Sequence, residues 1–171
     1  MASFLFVSAE NDGIAKCKAG GMGDVVRDVP RVISERGDTV NVVTPSYGRL
    51  HINASFISDI DFIYRGQRTK AKLYEAVPKK EFEHLTHYVI HHEDIKPGTI
   101  ADIYFNDEDQ PFFTDSCMFS LFCTAVSQAI LNNEFGKLDI VHLHDWHTSL
   151  ILFLRQYHPG FTGLWDIRMV Y

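Results

Sequence analysis

The chain opens on a short apolar run, Ser3 to Val7, that shows no alternation of polar and apolar positions. Unbroken apolarity over so few residues predicts a strand covered on both faces, as in a parallel sheet. A polar loop follows, and from Met22 the apolar positions fall at Met22, Val25, Val26, Val29, Val32 and Ile33. That three-and-four spacing predicts an amphipathic helix, stopped by Ser34-Glu35-Arg36-Gly37 and bent at Pro30, whose ring removes one backbone donor. Val40 to Thr44 then predicts a second buried strand. Between residues 55 and 95 the pattern changes to alternation: Ile57, Ile60, Phe62 and Tyr64, then Ala71, Leu73 and Val77, then Leu85, His87, Val89 and His91. These predict short antiparallel strands inserted at an edge of the main sheet, with turns at Gly66-Gln67-Arg68 and Pro78-Lys79-Lys80-Glu81. An acidic loop, residues 106 to 111, leads into a helix capped by Thr114 or Asp115 and running to about Leu131. Ile140 to Leu143 predicts a third buried strand, Trp146 to Tyr157 an apolar helix stopped by His158-Pro159-Gly160, and Arg168 to Tyr171 a last strand. Strands and helices alternate at both ends, which predicts an α/β architecture with a doubly wound, mainly parallel sheet and an antiparallel excursion. Ligands bind such sheets beyond the carboxyl ends of the strands, so loop 8–24 and the loop after Leu143 are expected to face one crevice.

Composition narrows the class. With 171 residues, 46% hydrophobic and 22% charged, the chain has the balance of one folded domain rather than a disordered or fibrous segment. A net charge of −6 argues against a general nucleic-acid or anionic-membrane surface, so any anionic ligand must be held locally. The longest purely aliphatic or aromatic run, Leu150 to Leu154, falls far short of the roughly 20 residues of a membrane span. The first residues carry no basic leader and meet Glu10 early, from which a cytoplasmic location is expected. Cys17, Cys117 and Cys123 show no CxxC spacing and read as reduced thiols. Cys117 and Cys123 read as core filler, whereas Lys16 and Lys18 beside Cys17 form a setting able to lower its pKa.

Two clusters carry chemistry. In Lys16-Cys17-Lys18-Ala19-Gly20-Gly21-Met22-Gly23-Asp24 the last glycines open a helix, so backbone N–H groups, with Lys18 upstream, suit a phosphate. The pattern is neither GxGxxG nor the P-loop. In His142-Leu143-His144-Asp145-Trp146-His147-Thr148, alternation sends His142 and His144 to one face at a strand end. A two-zinc hydrolase pattern HxHxDH would need its Asp one position later, so a metal set of His142, His144 and His147 is disfavoured, and Asp145 reads as the cap of the next helix. His84, His87, His91 and His92 straddle a strand and are expected at the surface.

Taken together, Ser8-Ala9-Glu10, Lys18 through Val26 with its GGMGDVV core, Pro30, Val42-Val43-Thr44-Pro45-Ser46-Tyr47, Tyr104-Phe105-Asn106-Asp107 and His142 through Thr148 resemble bacterial-type glycogen synthases and plant starch synthases, in the same order. Met22 stands where that family's KxGGLGDV usually has Leu. The resemblance implies the first, Rossmann-like domain of a GT-B glycosyltransferase that moves glucose from ADP-glucose to the non-reducing end of an α-1,4-glucan with retention, using neither metal nor cofactor. It implies Asp145 as the catalytic-site carboxylate, and Lys18, Gly20, Gly21, His144 and His147 as substrate-binding residues. It also leads us to expect a TxHN segment and a second, nucleotide-binding domain after Tyr171. Residues 1–171 thus read as an incomplete amino-terminal domain, not expected to turn over alone. A plant-type source would imply a plastid. A nucleotide- or glucan-binding module on the same fold is the alternative reading, and a metal-dependent hydrolase a weaker one.

Overall fold

The structure, a computed structural model, describes residues 1–96, 103–105, 107, 108, 110 and 112–171. Its strands are β1 (Ser3–Val7), β2 (Thr39–Pro45), β3 (Ser55–Tyr64), β4 (Gln67–Glu75), β5 (Leu85–His91), β6 (Ile140–Leu143) and β7 (Arg168–Val170). The α-helices are α1 (Gly21–Ser34), α2 (Phe113–Leu131) and α3 (Leu150–Tyr157). The strands join one sheet in the order β3-β4-β5-β2-β1-β6-β7. β1 pairs in parallel with β2 on one side and β6 on the other, so the winding of the chain reverses at β1. Leu5, Phe6 and Val7 are buried, as an apolar run at the centre of a two-sided sheet must be.

The two long helices bury different amounts of themselves. α2 is apolar almost all round, and from Met118 to Ile130 it is buried among β3, β5 and α3, as the core helix on one face. By length and apolarity alone it is the one helix among the described residues that could cross a membrane, but packing consumes that surface. α1 departs from the expected stripe. Gly23, Val26, Pro30 and Ser34 are buried, whereas Val25, Val29 and Val32 face outward. A line of mostly small residues seats α1 on Phe6, Val40 and Val42, and the helix runs unbroken through Pro30.

The excursion is a hairpin added to the sheet edge. β3 and β4 are antiparallel, and a two-residue turn joins them, Arg65-Gly66, both with positive φ, 51° and 76°. Paired positive φ values give the turn that suits the twist of the flanking strands. The turn thus falls one residue before the expected one, and Gln67 and Arg68 already pair in β4. β5 is antiparallel to β4 but parallel to β2, so it belongs to the main sheet. β3 is bulged between Phe56 and Ser58, and its Asp59 meets Lys70 of β4 at 3.2 Å.

Other expectations shift locally. The residue preceding α2 is Phe112, with φ 65°, not Thr114 or Asp115. Thr114 instead gives its N–H and hydroxyl to the Asp107 carboxylate, each at 2.8 Å, and Asp115 accepts the N–H of Phe105 at 3.0 Å. The expected helix from Trp146 breaks into a 3₁₀ turn, Trp146–Thr148, followed by α3. A second 3₁₀ segment, Pro159–Leu164, held by Arg155 donating to the Leu164 carbonyl, was not foreseen. Asn106 and Pro111 lie outside the described residues.

The surface placement of the histidine cluster holds for His84 but fails for His87. His87 is 3% exposed, because inward alternation on β5 sends it under the loop that follows β1, and His91 stacks on His51 at 3.6 Å. Burial pushes His87 to about 4. Burial, with the neighbouring His51, His92 and Lys72, takes His91 to about 4 as well. Unfolded, both titrate near 6.5. Between about pH 6.5 and 4 the unfolded chain therefore binds more protons, so stability is full above that window and lost as the pH falls through it. The urea midpoint is expected to drop between pH 7.5 and pH 5; an equal or higher midpoint at pH 5 would contradict the buried placement.

Candidate functional site at the carboxyl edge of the sheet

The loops after β1 and β6 emerge side by side, on either side of the point where the winding reverses. The β1 loop is organised by Glu10, which is 3% exposed. Its Oε2 accepts the N–H groups of Ala19 and Gly20, at 2.9 and 2.7 Å, and its Oε1 accepts the hydroxyl of Tyr104 at 2.7 Å. Asn11 N–H reaches the Cys17 carbonyl at 2.7 Å, and the buried Tyr47 hydroxyl donates to the Ala9 carbonyl at 2.7 Å. The glycines divide in role. Gly20 precedes α1 without a side-chain cap, and its N–H already serves Glu10. Gly21 has open space where a Cβ would point. Gly23 is the crowded one: a Cβ there would lie 3.0 Å from Lys18 Cγ and 3.2 Å from Glu10 Oε2, so a side chain at this position would press on both. An anion is therefore offered the N–H groups of the first turn of α1, from Gly21 onward, rather than that of Gly20.

Lys18 lies across Gly23 and pairs with Asp24 at 2.6 Å. Asp24 also receives Arg27 at 3.0 Å, and Arg27 continues to Asp12 at 2.5 Å. The neighbouring lysines do not activate Cys17. Its side chain turns inward beside Thr44, away from Lys16 and Lys18, and burial raises it to about 11. Cys123 is fully buried, as expected of core filler, whereas Cys117 is only half-buried, its Sγ 3.0 Å from Arg65.

In the β6 loop, Asp145 adopts φ 63°, ψ 175°, a region that non-glycine residues rarely enter. Its Oδ1 accepts the N–H of Trp146 at 2.6 Å, the capping role expected, and its Oδ2 stands 4.0 Å from His147 Nδ1. His147 is buried, its Nδ1 without a hydrogen-bond partner, and its ring stacks on Tyr104 at 5.1 Å. Burial lowers its pKa against the opposing pull of Asp145 and Glu10, favouring a neutral ring at pH 7. His142 and His144 turn to the other side: they bond each other at 2.9 Å and both stack on Phe6. Burial, together with His142, takes His144 to about 4.

A cavity of about 470 Å³ lies between the two loops, lined by Glu10, Gly21, Met22, Tyr104, Phe105, Phe112, Asp115, Asp145, Trp146 and His147. Of the residues singled out in the sequence, Gly21, Asp145 and His147 share it. Lys18 and Gly20 stand behind it in the same loop, and His144 lies beneath, against Phe6. Glu10, Tyr104, Asp115 and Gly23 were not foreseen as site residues, although Glu10, Tyr104 and Gly23 stood inside the matched motifs. Three carboxylates and no cation line the cavity, so it favours hydroxyls and positive charge, while the anion-binding N–H groups lie at its rim.

The family model of the starch synthase catalytic domain matches residues 3–171. A glycogen synthase of Desulforamulus reducens is 27% identical over 95% of this chain and 32% of its own length. One from Trichodesmium erythraeum is 33% identical over 86% of this chain and 29% of its own. The catalytic domain of starch synthase IV from Arabidopsis thaliana, solved with ADP and acarbose, superposes with a TM-score of 0.76 at 22% identity, covering 98% of this chain and 32% of that one. The chain thus spans about a third of the length of the relatives it matches.

Two outcomes follow from the geometry. Glycine tolerates the Asp145 backbone and retains most of the value of a cap, whereas alanine keeps the strain and loses the cap. Asp145→Gly is therefore expected to be about 1–3 kcal/mol more stable to urea than Asp145→Ala, and equal stabilities would refute the strained loop. Native-state thiol titration is expected to label Cys117 well before Cys17 and Cys123; early labelling of Cys17 would mean that the loop opens.

Proposed function

The chain belongs to the starch synthase catalytic domain family, and from that premise we propose that it forms one wall of a glucosyltransferase cleft, in an enzyme that transfers glucose from ADP-glucose to an α-1,4-glucan with retention. The observation that carries the reading is the shared cavity in which Gly21 and the start of α1 face Asp145 and His147 across the reversal point of the sheet. Glycosyl transfer builds positive charge on the sugar ring and negative charge on the departing pyrophosphate. Preorganised groups of opposite sign at each place lower the barrier. Asp145, with Glu10 and Asp115 behind it, suits the ring side. The free N–H groups from Gly21, with Lys18 nearby, suit the pyrophosphate side.

The remaining residues position the sugar. Tyr104 and the half-exposed Trp146 present ring faces, the surfaces on which pyranose rings stack. Neutral His147 stands beside Asp145 and offers a polar ring atom to a sugar hydroxyl. Gly20 contributes shape rather than a donor, since Glu10 takes its N–H. His144 acts through Phe6 and His142 as a support of the β6 loop. On this reading the second wall of the cleft, the nucleotide-binding domain that the resemblance implies, is supplied from outside residues 1–171.

Calorimetry with ADP and ADP-glucose tests the assignment. The chain is expected to bind both weakly, and Lys18→Ala to weaken both by about tenfold or more, the worth of one charge-assisted contact. Asp145→Asn preserves the cap and removes the charge, so it is expected to leave ADP binding unchanged while altering that of ADP-glucose. ADP affinity that survives Lys18→Ala would remove Lys18 from the site.

A further inference from the structure

On the face covered by α1, a second cavity, of about 240 Å³, opens between the middle of that helix, the β4–β5 connection and β5. Arg27, Arg31, Lys79 and Lys80 line it with two carboxylates, Asp12 and Asp28, so its lining carries two more cations than carboxylates, while Asp24 and Glu35 pair with Arg27 and Arg31 from outside it. Phe82 forms an apolar wall between two of the cations, with Lys80 Nζ 4.9 Å and the Arg31 guanidinium 5.9 Å from its ring centre. Those two are also the less committed cations. Arg31 has a long ion pair to Glu35, 3.9 Å, and its buried Nε has no partner.

The remaining wall is the edge of His87. Asn11 Oδ1 accepts the N–H of Gly13 at 2.9 Å, which turns the Asn11 Nδ2 toward His87 Nδ1 at 3.0 Å. Nδ1 must then accept, and the proton of the neutral ring sits on Nε2 as a donor. A Cβ on Gly13 would lie 2.6 Å from Cε1 and 3.1 Å from Nε2 of that ring, so glycine is what allows the loop to cross it.

We propose that this cavity binds a small organic phosphate monoester, its phosphate held by Lys79, Lys80 and Arg31 and its ring or apolar body laid against Phe82. Positive surplus selects the anion, and the aromatic wall selects the body. The volume lies below the roughly 300–1,000 Å³ of sites for larger ligands, so one ring with one phosphate fits and a nucleoside diphosphate does not. The cavity is wired to the first site. Lys79 and Arg27 both pair with Asp12, whose N–H holds the Gly23 carbonyl at 3.1 Å, and Arg27 reaches Asp24, the partner of Lys18. A phosphate that draws Lys79 from Asp12 therefore alters the loop carrying Lys18. Binding itself is independent of the ADP-glucose reading; only its effect on donor affinity rests on that reading.

The test is calorimetry on the 171-residue chain with phenyl phosphate and inorganic phosphate at fixed ionic strength. Phenyl phosphate is expected to bind about tenfold more tightly than inorganic phosphate, and the Lys79→Ala/Lys80→Ala double variant to weaken it about tenfold. Both lysines are largely exposed, so the fold is expected to survive, which urea unfolding checks, and Phe82→Leu is expected to erase the preference for the aromatic ester. Lys18→Ala is expected to leave phenyl phosphate binding unchanged. No binding of phenyl phosphate, no preference over inorganic phosphate, or binding untouched by the double variant would overturn the proposal. Loss of binding in Lys18→Ala would place the ester on the glycine loop instead. Failure of ADP to bind would bear on the glucosyltransferase reading alone.

Discussion

A carboxylate taken out of water must be met by donors, and Glu10 is met by three. Two come from the far end of its own loop, at Ala19 and Gly20, and the third from Tyr104, close to the start of α2. One side chain thus closes the loop on itself and ties it to the segment that lays Tyr104 over His147. The position of the β1 loop and of Tyr104 at the cavity depends on that closure. It also commits two backbone donors, which moves the place left for an anion forward to the first turn of α1.

Charge is divided across this loop rather than mixed. Carboxylates face the cavity, while cations and their partners form a chain behind it, from Lys18 through Asp24, Arg27 and Asp12 to Lys79. Most of those pairs are at least partly exposed, so each contributes little to stability. What the chain supplies is arrangement: Lys18 is held over Gly23 by Asp24, and Asp24 is shared with a helix residue whose other partner lies on the opposite side of the loop. The same division explains Cys17. Its lysine neighbours in sequence point outward, and the thiol itself is sealed inside.

Much of the fold was legible because the deciding forces are local or periodic. β1, β2 and β6 are nearly continuous apolar runs, and burial on both faces leaves such runs few alternatives. α1 was located, but its buried face was not, because Gly23 and Ser34 carry no hydrophobic signal and the valines that do carry one point outward. The parallel pairing of β5 was hidden for a related reason: alternation reports that one face is buried and says nothing of which neighbour lies beside the strand. Of the residues that the family resemblance implied for the site, Asp145, His147 and Gly21 line the cavity. Glu10, Tyr104 and Asp115 act through contacts between distant segments, 94 residues apart for Glu10 and Tyr104, and no spacing rule reports those. His144, which the resemblance implied as substrate-binding, stacks on Phe6 and is not among the residues that line the cavity.

The ten-residue strand β3 forms one margin of the sheet, and that raises a question of solubility. A long free edge offers unpaired backbone groups to any other extended chain. β3 blunts this in two ways: the irregularity between Phe56 and Ser58 spoils a straight template, and Asp59 and Asp61 would force an identical neighbour to bring like charges together. Lys70 of β4 offsets those two carboxylates in part, one cation against two. The acidic excess that looked like a global property of the chain is, at this margin, a local guard against sheet-to-sheet association.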